Sequence, residues 1–321
     1  MIYSIENNYL LVKVSNLGAT LVSFIDKKTN TDIVLGFDDE RGYMKYSGAH
    51  MGASVGRNAN RIASGNFNIN GINYQLSIND GNNNLHSGAS DFAFRSFDVK
   101  EIKKDSITFS LFDGDMSGGF PGNLNLEISY KLEDNHLLFS FKGICDKDSI
   151  FNITNHAYFN LNGGSSDILN HNLKIFTDKM SLNNDECMAT DKIINVRNTG
   201  FDFSELNNIG NNFLKKEENF SNGGIDHNYI LGDVGDKDVA ILNNDKLELK
   251  ISSDLPCVHI YTGNFMNNIL GKNNTTYQKH WAICLECDYY PNGINYENVL
   301  KPIIKANQEV SHYIKYTVRG L

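Results

Sequence analysis

The sequence has 321 residues, which suffices for one large domain or two of ordinary size, and a chain of this length buries most of its apolar surface without disulfides or a structural metal. Hydrophobic residues make up 40% and charged residues 21%, a globular composition that excludes a disordered chain. The formal net charge of −9 argues against nucleic acid or an anionic membrane surface as a partner and favours a small neutral ligand.

The N-terminal residues, the apolar runs and the cysteines bear on where the protein is located. Residues 1–8 have no basic stretch and contain Glu6, so we expect no signal peptide, and nowhere do 18 apolar residues run together as a membrane-spanning helix requires. The five cysteines are odd in number and scattered, which favours a reducing compartment over a disulfide framework. We therefore predict a cytoplasmic protein.

The first clear element along the chain is a hairpin. Short apolar-polar runs at 67–69 and 72–74 flank Asn70 and Gly71, a pair that tolerates the positive φ angles of a type I′ turn. Further on, apolar and polar residues alternate with period 2, most strictly at 124–132. This pattern predicts half-buried antiparallel strands there and in three similar runs, at 106–112, 136–142 and 247–252.

Helical signals are few. A short helix opened by Ser204 is predicted within residues 203–220, although Gly210 interrupts its apolar positions. No repeat, composition shift or linker divides the chain, so we predict one all-β domain over residues 1–321, with two domains as the alternative.

Polar residues that could act on a substrate lie in several segments. Residues 56–65 place Asn60 and Arg61 between glycines, where amide and guanidinium groups could bind sugar hydroxyls or a carboxylate; a solvated turn explains the segment equally well. His86 follows a run of turn-forming asparagines and is a second candidate; an ordinary loop histidine is the structural alternative. In residues 152–160, strand alternation places His156 and Tyr158 on one face, which is typical of a sugar site and also of a satisfied core histidine.

Carboxylates come from two later segments. Asp226 lies in a short polar run, and Glu286 follows the uncharged residues 281–285, so its neighbours should be buried. A buried carboxylate needs a partner or a raised pKa, which makes Glu286 a candidate for acid–base chemistry; an ion pair with an arginine is the structural alternative. Cys284 and Cys287 form a C-x-x-C pair, but on a strand they point to opposite faces, so we expect no metal site.

Six pieces, in this order, resemble the aldose 1-epimerase family, also called galactose mutarotases, and the resemblance covers nearly the whole chain. Each piece is short, and their combination is specific: Gly56-Arg57-x-Ala59-Asn60-Arg61-Ile62, Leu85-His86-x-Gly88, Thr154-Asn155-His156-x-Tyr158-Phe159-Asn160-Leu161, Asp226-His227-Asn228, Tyr261-Thr262-Gly263-Asn264-Phe265 and Cys284-Leu285-Glu286.

The resemblance implies a large antiparallel β-sandwich with a sugar cleft, an activity that interconverts the α and β anomers of free aldohexoses such as galactose and glucose, and no cofactor. It implies that Glu286 is the general base, His156 the general acid and His86 a second imidazole at the ring oxygen. Sugar hydroxyls would be held by Asn60, Arg61 and Asp226.

One departure concerns His259, which stands where many members of that family have glutamine two residues before the Tyr-Thr-Gly-Asn stretch. An imidazole has a shorter reach and fewer donor and acceptor options than an amide, so we expect His259 to contact a hydroxyl differently and to alter substrate preference.

Three other functions are compatible with the same residues. A phosphosugar epimerase would need cations at the phosphate, for which Arg57, Arg61 and Arg95 are available. A glycoside hydrolase would use Asp226 and Glu286 as its carboxylate pair. A non-catalytic sugar-binding sandwich would stack sugars on aromatic rings at Tyr158, Phe159 or Trp281, and would not depend on Glu286.

Overall fold

The structure is a computed structural model and describes residues 1–215, 220 and 223–321. Strands dominate this part of the chain, and they are β1 (Ile2–Glu6), β2 (Leu10–Ser15), β3 (Thr20–Asp26), β4 (Thr31–Asp32), β5 (Ser54–Val55), β6 (Arg61–Ile62), β7 (Asn66–Ile69), β8 (Ile72–Gln75), β9 (Asn84–Leu85), β10 (Asp98–Ile102), β11 (Ser106–Asp113), β12 (Leu124–Glu133), β13 (His136–Cys145), β14 (Ser149–Ile150), β15 (Thr154–Asn155), β16 (Tyr158–Phe159), β17 (Asn172–Ile175), β18 (Lys179–Asn183), β19 (Ala189–Asn195), β20 (Asn207–Asn208), β21 (Asp226–Ile230), β22 (Lys237–Asn243), β23 (Leu247–Ser253), β24 (Cys257–Tyr261), β25 (Ile269–Leu270), β26 (Thr276–Tyr277), β27 (Ile283–Asp288), β28 (Ile303–Ile304) and β29 (Glu309–Gly320).

Helices are short. They are α1 (Glu40–Lys45), α2 (Ile209–Phe213) and single 3-10 turns at Ser47–Ala49, Ala63–Gly65, Gly88–Ser90, Phe92–Phe94, Ser117–Gly119, Lys272–Asn274 and Gly293–Asn295.

The largest sheet has nine antiparallel strands in the order β10-β11-β12-β13-β29-β23-β22-β17-β20. Its inner strands show the predicted alternation: in β12 the side chains of Leu126, Ile128 and Tyr130 are buried, while those between them are not. The four predicted strands are confirmed as β11, β12, β13 and β23, each starting where the period-2 pattern starts and continuing one to three residues further.

A six-stranded sheet, in the order β16-β27-β24-β21-β18-β19, lies across the core from the nine-stranded one. A four-stranded sheet, β1-β2-β3-β4, packs on the same core. One large cluster of buried apolar residues joins all three sheets, with members such as Phe24, Phe139, Tyr316, Ile260 and Leu285. The predicted all-β antiparallel sandwich is therefore confirmed.

The hairpin is also found as predicted. Strands β7 and β8 pair from Asn66↔Gln75 to Ile69↔Ile72, and the connecting Asn70 and Gly71 have φ angles of 53° and 80°. Both turn positions are therefore left-handed, as a type I′ turn requires.

The predicted helix within 203–220 is wrong in its start. Helix α2 begins at Ile209, where the side chain of Asn208 accepts a hydrogen bond from the Asn211 amide. The hydroxyl of Ser204 donates instead to Asp202, so it caps no helix. Asn208 caps the helix in place of Ser204 because its side-chain oxygen accepts a hydrogen bond from an N–H that has no partner within the helix. Residues 216–219 of the predicted range lie outside the described residues.

The segment 152–160 is not one strand. Strand β15 pairs with β5, whereas β16 pairs with β27 in the six-stranded sheet, and the chain changes partner at His156. The backbone of His156 is still held on both sides, because its N–H donates to Ala53 and its carbonyl accepts from Gly52. The crossover fixes His156 beside the open face of the six-stranded sheet.

Candidate active site

A cavity of about 370 Å³ lies on the face of the six-stranded sheet that points away from the core. Its volume falls in the range of small-molecule sites. All eight residues predicted to act on a substrate line it: Asn60, Arg61, His86, His156, Tyr158, Asp226, His259 and Glu286.

Strand register explains how three of these residues meet. Strands β21, β24 and β27 are adjacent, with Asn228 opposite His259 and His259 opposite Glu286. Because side chains alternate along a strand, Asp226, two residues before Asn228, shares their face. Ile260 and Leu285 point the other way, into the core. One face of three strands thus builds the floor of the cavity.

Glu286 is buried, with 3% of its surface exposed. Burial raises its pKa well above the ordinary value for a glutamate, and the nearby carboxyls of Asp288 and Asp226 add to the shift. Its ion-pair partner in the described chain is His156, whose Nε2 lies 3.6 Å from Oε1, rather than an arginine. Glu286 is therefore poised to exchange a proton.

The imidazole of His156 is fixed on two sides. Its ring stacks on Tyr158 at 5.2 Å between centroids and 14° between planes, and its Nδ1 lies 3.4 Å from Sγ of Cys284. The Tyr158 hydroxyl donates to the carbonyl of Ala49, which holds the stacking ring in place. Burial, followed by the charges of His50 and His259, lowers the pKa of His156 to about 3. A protonated His156 is consequently a strong acid.

His86 enters from a loop and has a left-handed backbone, with φ 51°. Its Nδ1 accepts the backbone N–H of Asn60 at 3.2 Å, so in the neutral ring Nε2 carries the proton and is a donor. Burial lowers the pKa of His86 well below its usual value, with the charges of His50 and His156 next in size. His86 is thus a neutral hydrogen-bond donor at the cavity wall.

His259 connects two other predicted ligands. Its Nε2 lies 2.8 Å from Oδ1 of Asp226, and its Nδ1 lies 3.2 Å from the amide nitrogen of Asn60. Both ring nitrogens are occupied, so His259 orients its neighbours. Burial acts to raise the pKa of Asp226, but the hydrogen bond and charge of His259 outweigh it and hold that pKa below its usual value.

The arginines divide between cavity and core. Arg61 reaches the cavity rim, with Nε 2.7 Å from Oδ2 of Asp80. Arg57 is fully buried and bonds to Asp113 and to several backbone carbonyls, and Arg95 bonds to the other oxygen of the same carboxylate. Of the three cations available to a phosphate, only Arg61 lines the cavity. The segment around Arg57 is buried, so a solvated turn is excluded there.

Of the three aromatic residues considered for sugar stacking, only Tyr158 lines the cavity. Phe159 lies in the main core and Trp281 packs against a smaller cluster beneath the site. The cavity does contain Tyr261 and Phe265, which stack on each other and which the sequence analysis did not name as ligands.

Two further residues, His50 and Asp91, were not predicted from the sequence. His50 lines the cavity, and its Nε2 lies 3.0 Å from Oδ2 of the buried Asp91. No local pattern marks either residue, because they come from separate loops and meet only in the fold.

One group of side chains has the donor set of a metal site. Ligand atoms of His156, Cys284 and Glu286 lie within 4.8 Å of one another, and no second group of this kind occurs among the described residues. Nitrogen, sulfur and carboxylate oxygen are ligands that zinc accepts. Cys284 and Cys287 lie in different apolar clusters, as their opposite strand faces predict, so the two thiols do not face a common point.

No helix in residues 1–215, 220 and 223–321 has the length and apolar character needed to span a bilayer.

A buried carboxyl group facing imidazoles, in a cavity lined by polar and aromatic side chains on a β-sandwich, defines an enzyme that moves protons on a small polar substrate. The aldose 1-epimerase family model matches residues 1–317. The chain is 31% identical to bovine galactose mutarotase (98% of this chain, 94% of the relative) and 30% identical to aldose 1-epimerase of Escherichia coli K12 (97% and 92%). A solved aldose epimerase homologue from C. elegans superposes with a TM-score of 0.92 at 26% identity, covering 100% of this chain and 99% of the other.

The chain therefore belongs to the aldose 1-epimerase family. It is an isomerase that interconverts the anomers of aldoses.

Proposed function

We propose that the substrates are free aldohexoses such as galactose and glucose, and that Glu286, His156 and His86 carry out the proton transfers. The observation that carries this proposal is the 3.6 Å approach of the buried His156 Nε2 to the buried Glu286 Oε1 at one cavity. Interconversion of anomers needs one base and one acid acting together on one sugar, and this pair supplies both.

The reaction consists of two coupled proton transfers. Ionised Glu286 takes the proton of the anomeric O1 hydroxyl while protonated His156 gives its proton to the ring oxygen O5. The C1–O5 bond breaks, and O1 becomes the carbonyl oxygen of an open-chain aldehyde. Rotation about C1–C2 presents the other face of that carbonyl to the C5 hydroxyl, and the reverse transfers close the opposite anomer.

Burial of Glu286 and His156 favours the ring-opened stage of the reaction. After ring opening, Glu286 is protonated and His156 is neutral, and these are the forms that burial stabilises for both groups. The ring-closed complex instead needs the charged pair, which the short distance between the two groups supports. The buried pair therefore lowers the free energy of the open-chain intermediate.

The remaining ligands hold the sugar. The Nε2–H of His86 is a second donor for the ring oxygen, and Asp226, Asn60 and Arg61 bind hydroxyls around the ring. Tyr158 supports His156 from beneath.

Polarimetry of freshly dissolved α-D-galactose and α-D-glucose tests the substrate assignment. With enzyme, we expect the rotation to reach the same final value as the spontaneous reaction, but faster, and the two rates rank the hexoses. If neither sugar responds while D-glucose 6-phosphate does, the phosphosugar function replaces this one. If no sugar responds but binding is measurable, the protein is a sugar-binding sandwich.

We predict that His259→Ala raises KM for the preferred hexose by about tenfold, equivalent to roughly 1.4 kcal/mol, with little change in kcat. The reason is that Asp226 and Asn60 both lose the ring that orients them. His259→Gln is the matched control, because an amide supplies one donor and one acceptor and should restore most of the affinity. Equal losses in both variants would contradict an orienting role.

We also propose that the chain is a single domain and that the protein is cytoplasmic. Residues from Ile5 to Val318 share the main apolar core, which supports the first point. The odd, scattered cysteines support the second.

A further inference from the structure

Cys284 lies against the proposed acid, although the proposed reaction assigns it no step. It is completely buried, does not line the cavity, and belongs to the smaller apolar cluster beneath the site. Its Sγ is nevertheless 3.4 Å from Nδ1 of His156. In β27 it comes two residues before Glu286, so both side chains leave the strand on the same face. One short stretch of strand therefore contacts both nitrogens of a single imidazole.

The two nitrogens of the His156 ring have different surroundings. Nε2 lies 3.6 Å from Oε1 of Glu286, on the side of the cavity, so it is the nitrogen that reaches a bound sugar. Nδ1 faces Cys284, away from the cavity. In the proposed reaction, His156 gives up a proton when the sugar ring opens and takes one back when it closes. Nε2 must therefore be bare in the neutral imidazole, and the proton that the imidazole keeps is on Nδ1.

A proton on Nδ1 needs an acceptor, because a buried N–H without a partner costs free energy. The sulfur of Cys284 is a weak acceptor, and its burial disfavours a thiolate. It can thus hold the N–H of His156 without placing a negative charge beside the ring. A carboxylate in this place would stabilise the protonated imidazole, as the aspartate of a Ser-His-Asp triad does, and would make it a weaker acid.

Stacking on Tyr158 fixes the plane of the His156 ring but not which way round the ring lies. Turning the imidazole over about its Cβ–Cγ bond leaves the stacked plane unchanged and exchanges each nitrogen with a carbon. A turned ring would place carbon atoms opposite Cys284 and Glu286. The contact between Nδ1 and sulfur exists in only one of the two orientations, and that orientation is the one able to exchange protons with a sugar.

One other acceptor lies near the same proton. The backbone carbonyl of His156 interacts with its own ring, and Nδ1 is the ring nitrogen within its reach. That carbonyl already accepts the N–H of Gly52. Both the carbonyl and the Cys284 sulfur favour a proton on Nδ1, so an experiment must remove the sulfur alone to separate them.

We propose that Cys284 is a positioning residue for the interconversion of anomers. Its sulfur accepts the Nδ1 proton of His156, selects one orientation of the ring, and leaves Nε2 to give a proton to the sugar and take it back. This inference rests on the proposed role of His156 as the acid, and it adds the partner on the far side of that ring.

The kinetic test measures kcat and KM for mutarotation by polarimetry at pH 8. Cys284→Ala removes the acceptor and should lower kcat by about tenfold, the usual weight of one hydrogen bond. KM should stay within about twofold, because Cys284 does not line the cavity and the groups that bind hydroxyls are unaltered. Cys284→Ser restores an acceptor at nearly the same place and should recover most of kcat.

Cys287→Ala is the matched control. Cys287 lies on the same strand, is equally buried, and packs in the main apolar core on the opposite face. Removing its sulfur should lower the free energy of unfolding about as much as removing that of Cys284, yet it leaves the His156 ring untouched. Equal losses of kcat in Cys284→Ala and Cys287→Ala would mean that a cavity in the core is responsible, and would overturn the proposal. Equal losses in Cys284→Ala and Cys284→Ser would also overturn it.

Nitrogen-15 NMR of labelled histidines at pH 8 measures the tautomer, which a purely structural role would not alter. Wild-type His156 should have its proton on Nδ1, and in Cys284→Ala part of the population should change to Nε2. A wild-type ring protonated on Nε2 would contradict the inference. So would an unchanged spectrum and kcat in Cys284→Ala, which would assign the tautomer to the backbone carbonyl. A wild-type protein that is inactive on every hexose but protonated on Nδ1 would instead overturn the proposed function and leave the hold of Cys284 on the ring in place.

Discussion

Glu286→Gln should reduce kcat for hexose mutarotation by roughly 10²- to 10⁴-fold, the usual contribution of a positioned proton-transfer group. Glutamine has nearly the same shape and fills the same buried site, but its amide cannot take the O1 proton. KM should change little, because Asp226, Asn60 and His86 still bind the ring. Initial rates by polarimetry over a range of sugar concentrations measure both constants.

A second carboxylate provides the comparison for this variant. Glu248 has 10% of its side chain exposed and lies in the nine-stranded sheet, where its Oε1 is 2.9 Å from the guanidinium of Arg319. Neither residue of this pair lines the cavity. Glu248→Gln should leave kcat within twofold of wild type. A similar loss in both variants would mean that removing a buried carboxylate damages the fold, and retained activity in Glu286→Gln would remove Glu286 from the mechanism.

Arg57→Met should lower the free energy of unfolding by about 3 to 5 kcal/mol. The guanidinium of Arg57 donates to Asp113 Oδ2 at 2.6 Å and to the carbonyls of Pro121 and Gly122 at 2.9 Å. Methionine fills much of the volume but leaves Oδ2 of the buried Asp113 and the buried carbonyls without the donors that Arg57 supplies. Urea denaturation of both proteins measures the difference.

Arg95 offers an internal control, because it binds the other oxygen of Asp113 at 3.0 Å while 34% of its side chain is exposed. Arg95→Met should cost less than about 1 kcal/mol, since water can replace an exposed partner. If both substitutions cost the same, burial is not what makes Arg57 important. Neither variant should change KM, because neither arginine lines the cavity.

The period-2 pattern was sufficient to predict the long strands, and the Asn70-Gly71 pair to predict one hairpin, because both signals are local. The switch at His156 could not be seen in this way. Alternation describes a strand that keeps one partner, and here the chain leaves β5 for β27 within a few residues. The helix start was missed because several polar residues could cap it, and only the fold selects Asn208.

The residues proposed for the reaction were named through family resemblance, and the structure places them around one cavity. What the sequence did not reveal is how they are linked. His259 was expected to touch the sugar, yet its two nitrogens are occupied by Asp226 and Asn60. The pair of His50 and Asp91 had no signal at all, since a histidine and an aspartate in separate loops are common and their meeting is a property of the fold.

The position of β29 in the nine-stranded sheet has a consequence for biosynthesis. This strand, Glu309–Gly320, lies between β13 and β23 and pairs with each along most of its length. While the chain is being made, the earlier strands leave the ribosome with two unpaired edges that only β29 can join. Such exposed edges can pair with other chains, so we expect aggregation during synthesis to be most favoured before Glu309–Gly320 has emerged.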